Sequence, residues 1–178
     1  MCGIAGFIVN HESKLDLTSI AKKMVNMIGH RGPDDEGVWV DETSQVAFGH
    51  KRLSILDLSM AGHQPMNSKC CRYTLVFNGE IYNHKDIRVK LQETSTTLLD
   101  WNGHSDTETL LAAITNWGVE KTLNECVGMF AIALWDKNEG TLTLARDRLG
   151  EKPLYYGWQG NTFMFASELK AFKVHPDF

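Results

Sequence analysis

The sequence predicts an α+β fold in which antiparallel sheets are covered on the outside by helices. Three observations carry this expectation. Strand-like segments open the chain and fill its last third, while helical periodicity is confined to residues 17–28 and to the middle of the chain. The late strands are short, rich in β-branched and aromatic residues, and separated by turns such as DKNEG and QGN. The order of elements is therefore not the alternation that builds a parallel sheet. With 178 residues, 43% of them hydrophobic, and no repeat or low-complexity linker, the chain is read as one domain, residues 1–178.

The elements follow in order. IAGFIV (residues 4–9) reads as a strand. Leu17, Ile20, Ala21, Met24, Val25, Met27 and Ile28 then recur at helical spacing. HRGPDDEG is punctuated by glycine and proline and reads as a loop, in which Arg31 can pair with a carboxylate and Asp34 can close an Asx turn. Strands are expected at 37–40, 45–49 and 52–57, the last opened by Arg52 with Leu53, Ile55 and Leu56 buried. A long loop leads into RYTLVFN, the clearest strand of the middle section. Helices are expected at 84–92 and within GHSDTETLLAAITNW, where Leu110, Leu111, Ile114 and Trp117 share a face. A short helical turn covers 119–126. GMFAIALWD, TLTLARD, LYYGW and TFMFAS read as strands, and SELKAF as a closing helical stretch.

Composition removes several function classes. A net charge of −4 gives no electrostatic case for nucleic acid or an anionic membrane. No apolar run approaches a membrane span, and no signal-peptide pattern opens the chain. The four cysteines show neither a disulfide framework nor zinc-ligand spacing, and Cys126 sits in an apolar context; a reducing cytoplasm is expected. The seven histidines are scattered and no metal site is expected. Phosphate loops and the nucleophile-elbow motif are absent.

Polar residues at strand and helix ends remain. In MCGIAGF, Cys2 either leads into a buried strand or, once Met1 is removed, carries a thiol and a free α-amine on one residue. Arg52 either reaches out to solvent or offers a planar fork to a carboxylate. Asn78-Gly79 is a hairpin signal by default, but EIYNHKDIRVKL continues as a helix and supplies no partner strand. A side-chain amide beside a glycine N–H is also what an oxyanion hole requires. Ser105 and Glu108 form a capping box, which leaves Asp106 either to complement the helix dipole or to present a carboxylate. Together these residues could hold an amino acid by its two ends while its side-chain carbonyl is attacked.

MCGIAG, HRGPD, RLSILDLS with GHQPM, FNGEIYN, SDTE, GMFAIALWD, RDRLGEKPLYY and ASELKAF together resemble the glutaminase domain of class II glutamine amidotransferases. Within that family the likeness is to the N-terminal half of glutamine-hydrolysing asparagine synthetases, and it covers essentially the whole chain. The resemblance implies an Ntn-hydrolase four-layer αββα sandwich. It implies that Cys2, freed of Met1, attacks the glutamine side-chain amide with its own α-amine as base. Asn78 and the N–H of Gly79 would stabilise the oxyanion, Arg52 would grip the α-carboxylate, and Asp106 with Glu80 would hold the α-ammonium. L-glutamine is thus the expected substrate and a synthetase domain the expected partner. No cofactor is expected in this domain: ATP and Mg belong to the synthetase domain, whose pyrophosphate loop is not in this sequence. Asparagine is the leading product. The alternatives are amidation of another carboxylate such as a cell-surface sugar, a different Ntn hydrolase, or a silent interaction module.

Overall fold

The computed structural model describes residues 1–9, 15–95 and 98–178. Among the described residues, nine strands form two antiparallel sheets. The first sheet contains β1 (Gly3–Val9), β2 (Asp35–Asp41), β3 (Val46–Arg52), β8 (Tyr155–Gln159) and β9 (Thr162–Ala166), in the order β2-β3-β1-β9-β8. The second contains β4 (Met66–Asn67), β5 (Tyr73–Ile81), β6 (Gly128–Asp136) and β7 (Thr141–Arg146), in the order β4-β5-β6-β7. Helices α1 (Leu17–Met27), α2 (His84–Thr94), α3 (Asp106–Trp117) and α4 (Val119–Glu125) lie outside them.

Strand alternation explains the layering, because successive side chains point to opposite faces. In β1, Ala5, Phe7 and Val9 pack on Leu17, Met24 and Val25 of α1. Ile4 faces the other way and meets Val76, Ala131 and Ala133 across the gap between the sheets. In β5, Tyr73, Leu75 and Phe77 pack against Ile87, Leu110 and Ile114 of the outer helices, while Val76 joins the middle layer. Both central strands bury both faces, and the result is the expected αββα sandwich. Full burial of each such side chain contributes about 1.5–3 kcal/mol.

Three boundaries differ from the sequence reading. The strand expected at 52–57 is absent beyond its first residue: β3 runs through to Arg52 and ends there, and 53–57 form an irregular loop. Ile55 and Leu56 are exposed, not buried. The Asn78-Gly79 pair neither turns nor ends its strand, since β5 continues to Ile81 in unbroken register with β6. The closing helical stretch is a 3-10 helix, Leu169–Val174. The helix expected at 119–126 and the buried faces of Leu110, Leu111 and Ile114 stand as read.

Candidate active site

The face parity that builds the middle layer also assembles the site. Cys2 shares a face with Ile4, His50 and Arg52 with Phe48, and Asn78 with Val76, so all four side chains converge at one end of the space between the sheets. There lies a cleft of about 110 Å³ to which Met1, Cys2, Arg52, Asn78, Gly79, Glu80 and Asp106 contribute. All six residues singled out from the sequence line it. A larger groove of about 630 Å³, beside Trp101 and Leu111, contains none of them.

Cys2 is held from both sides. Its Sγ accepts from the Leu53 N–H at 3.3 Å and faces the Leu53 carbonyl at 3.5 Å. Arg31 Nε donates to its carbonyl oxygen at 2.9 Å, while Arg31 Nη1 pairs with Glu168 at 2.8 Å. The HRGPD loop is therefore one wall of the site, and Asp34 ties it to the next loop by accepting from the Ser54 N–H at 2.7 Å. Burial pushes the Cys2 thiol above its ordinary range, only partly opposed by the Leu53 N–H and by nearby positive charge. At neutral pH this side chain is a thiol that needs a base.

Asn78 and Gly79 sit where β5 loses its outer neighbour. The two-residue β4 pairs only with Leu75 and Thr74, and further along the edge side chains take over from the missing strand. Gln64 Oε1 accepts from the Phe77 N–H at 2.7 Å, and Asp106 Oδ2 accepts from the Ile81 N–H at 2.9 Å. The Gly79 N–H lies between them in strand parity and points to the same open edge. Opposite Gly79, the N–H and carbonyl of Phe130 both bond to Asp147, so Gly79 belongs to a non-hydrogen-bonded pair. A Cβ at Gly79 would stand 2.2 Å from the Met129 carbonyl oxygen and 2.7 Å from Phe130 Cα, which only glycine avoids. Asn78 is 1% exposed, and its Nδ2 has no hydrogen-bond partner among the described residues. A buried, unpaired amide donor costs stability.

Arg52 and Asp106 form no ion pair with each other. Arg52 Nη1 donates to the Ser59 carbonyl at 2.9 Å and Nη2 to the Asp57 carbonyl, so the guanidinium anchors the loop after β3 while keeping other donors. Gly62 lets the fork approach, since a Cβ there would stand 2.1 Å from Nη2. The Asp57 carboxylate closes the same loop through the Ser59 hydroxyl and joins it to the segment leading into α3 through the His104 N–H at 2.8 Å. These bonds, the Ser59 hydroxyl foremost, hold its carboxyl at about 2.

Asp106 is the first residue of α3. The Ser105 Oγ accepts from the Glu108 N–H at 3.2 Å as the capping box requires, but the Glu108 carboxylate reaches past Ser105 to the N–H groups of Asn102 and Gly103. Burial raises the Asp106 carboxyl to about 6, despite the Ile81 N–H, and the neighbouring Glu80 adds to the rise. A carboxylate so placed gains from a cation.

The chain matches the model of the glutamine amidotransferase domain over residues 1–178. It belongs to this family. Asparagine synthetase [glutamine-hydrolyzing] 3 of Bacillus subtilis is 39% identical to this chain, over 99% of it and 28% of its own length. A putative asparagine synthetase of Methanocaldococcus jannaschii is 39% identical over 96% of this chain and 34% of its own. The chain thus spans about a quarter to a third of these relatives. Among solved structures, the glutamine phosphoribosylpyrophosphate amidotransferase from B. subtilis superposes with a TM-score of 0.76 at 21% identity, covering 97% of this chain and 43% of the other.

In and next to the amidotransferase cleft are residues that the sequence reading did not single out. Gln64, buried beside the chain reversal at Gln64-Pro65, bonds Phe77 and, through Nε2, Thr107 Oγ1 at 3.3 Å. His50 is fully buried with Nε2 at 3.2 Å from the Phe77 carbonyl, and burial lowers it to about 3, which keeps it neutral. Lys152, buried, reaches the cleft from the far side. Each depends on contacts distant in sequence, although Gln64 lies in GHQPM and Lys152 in RDRLGEKPLYY, both noted as matching stretches. All four cysteines are free, and Cys126 is core, its thiol raised to about 11 by burial. No group of metal-binding side chains occurs among the described residues, and none of the described helices is long and apolar enough to cross a membrane.

Proposed function

We propose that this domain hydrolyses the side-chain amide of L-glutamine to glutamate and ammonia, and passes the ammonia to a synthetase domain that makes asparagine from aspartate. The buried, unpartnered amide of Asn78 beside the open N–H of Gly79, in one cleft with Cys2, is the observation that carries this reading.

After Met1 is removed, the α-amine of Cys2 takes the thiol proton while sulfur attacks the amide carbon. A free α-amine has an ordinary pKa of about 7.7–8.0, so part of it is unprotonated near neutrality. The carbonyl oxygen becomes an oxyanion that accepts from Asn78 Nδ2 and Gly79 N–H, two donors that need no reorganisation. The proton passes to the departing nitrogen, the carbon–nitrogen bond breaks, and ammonia leaves a γ-glutamyl thioester. Water then releases glutamate and restores the thiol. No histidine serves as base: the one at the site, His50, is neutral and turned to the Phe77 carbonyl. Arg52 offers its remaining donors to the α-carboxylate, and Asp106 with Glu80 receives the α-ammonium. The relatives' names and their additional length support the synthetase partner and the asparagine product.

The test is release of glutamate and ammonia in equal amounts from L-glutamine, with glutamine derivatives lacking the α-ammonium or α-carboxylate turned over poorly. Equal turnover of such derivatives, or of simple acyl amides, would show a different amide hydrolase.

A further inference from the structure

The loop between β7 and β8 is tightly built around one side chain. The Asp147 carboxylate accepts the N–H groups of Phe130, Glu151 and Lys152 at 3.2, 2.9 and 3.0 Å. Arg146 Nε donates to the Lys152 carbonyl at 2.5 Å and Nη2 to that of Gly150. Gly150 takes φ +68°, where other residues are strained, and a Cβ there would stand 3.1 Å from Arg146 Cζ. All of this holds Lys152, 5% exposed, with its ammonium in the cleft. Among the described residues, its Nζ has no carboxylate partner and one polar contact, the Met1 thioether at 3.2 Å. A buried ammonium whose neighbour is a weak acceptor on the N-terminal residue needs an explanation.

We propose that Lys152 is a positioning residue that keeps the N-terminal amine of the mature domain in its unprotonated, basic form. This rests on the N-terminal-cysteine mechanism proposed above. Loss of Met1 removes the side chain that Lys152 now touches and leaves the Cys2 α-amine as the terminal group on that side of the cleft. A fixed positive charge there disfavours a second one, so the amine gives up its proton more readily. Lys152 acts through its charge alone and exchanges nothing with substrate. The other charged and titratable groups around the cleft do not supply this effect at the N-terminus. Arg31 donates to the Cys2 carbonyl but is paired with Glu168, Arg52 on β3 is tied to the Asp57 and Ser59 carbonyls, and Asp57, Glu80 and Asp106 are carboxyl groups that favour a protonated amine. His50 is neutral and turned to Phe77.

The experiment compares mature wild-type protein with Lys152→Met, which keeps the stem and loses the charge, and Lys152→Arg, which keeps the charge. The acidic limb of the kcat/KM–pH profile for glutamine reports the amine, and carbon-13 NMR of labelled Cys2 titrates it without turnover. Loss of the charge should displace the limb and the titration upward in Lys152→Met by about 0.5 pH units or more, the scale of a Coulomb interaction at effective dielectrics between water and about 20. Lys152→Arg should leave the limb in place, and Lys152→Met should regain most of its activity at alkaline pH. An unmoved NMR titration in a folded Lys152→Met protein overturns the proposal, as does a loss of activity that is uniform in pH. If mature wild-type protein hydrolyses no glutamine at any pH, the proposed function fails, while the NMR displacement still decides the role of Lys152.

Discussion

Replacing Asn78 with alanine separates a catalytic amide from a structural one. The side chain is buried, yet its Nδ2 makes no hydrogen bond among the described residues. Leaving a buried donor unsatisfied costs about 1–3 kcal/mol, and alanine removes that cost. Alanine also removes apolar contact, which works in the opposite direction at a comparable scale. The two contributions offset, so stability should change by no more than about 1 kcal/mol, a few degrees in Tm. Catalysis has no such offset. Loss of one preorganised oxyanion donor lowers kcat by about 100- to 1,000-fold, equivalent to about 2.7–4 kcal/mol at the transition state. Steady-state glutaminase kinetics and thermal unfolding on the same preparation give both numbers. A mainly KM effect would mean that Asn78 binds ground-state substrate. A fall of ten degrees or more in Tm with kcat intact would make it a core residue, and the oxyanion argument would be wrong.

Arg52→Lys should raise KM for glutamine and also lower stability by about 1.5–3 kcal/mol, because a point charge cannot reproduce the fork that ties Asp57 and Ser59; unchanged Tm and KM together would refute both roles. Asp106→Asn gives a signed test. The folded state raises this carboxyl to about 6 from 3.8, so ionised Asp106 costs the fold about 3 kcal/mol. That cost is fully present above about pH 6 and absent below about pH 4, so Asn should stabilise the protein at pH 7 and gain nothing at pH 4, while weakening glutamine binding. A helix-dipole role predicts the reverse, destabilisation at pH 7. Gly79→Ala should unfold or misregister the β5–β6 pair, seen as loss of soluble protein or a large drop in Tm; a stable, active variant would show that the close approach to Met129 and Phe130 is not required.

Particular residues show how far the sequence could be read. Cys2, Arg52 and Asn78 were legible as candidates because each polar group stands at the margin of an apolar strand, and strand parity then brings them to one face. The loop at 53–57 was misread because LSIL has the composition of a strand. Its Ile55 and Leu56 are apolar at the rim of the cleft, exposed, and hydrophobicity alone cannot separate rim from core. Asn78-Gly79 has the signature of a turn, but the glycine answers a cross-strand contact with Met129, which lies 50 residues further on. Gln64, His50 and Lys152 were missed for the same reason: their partners come from other strands and loops, and nothing local marks a side chain that bonds across the fold.

The central claim is that Cys2 acts with its own α-amine. Glutaminase activity should therefore be measured on one preparation split by intact mass into a form retaining Met1 and a form beginning at Cys2. Activity should rise in proportion to the fraction beginning at Cys2, and only that form should accumulate a γ-glutamyl adduct on brief exposure to glutamine. Equal activity in the form that retains Met1 would contradict the account.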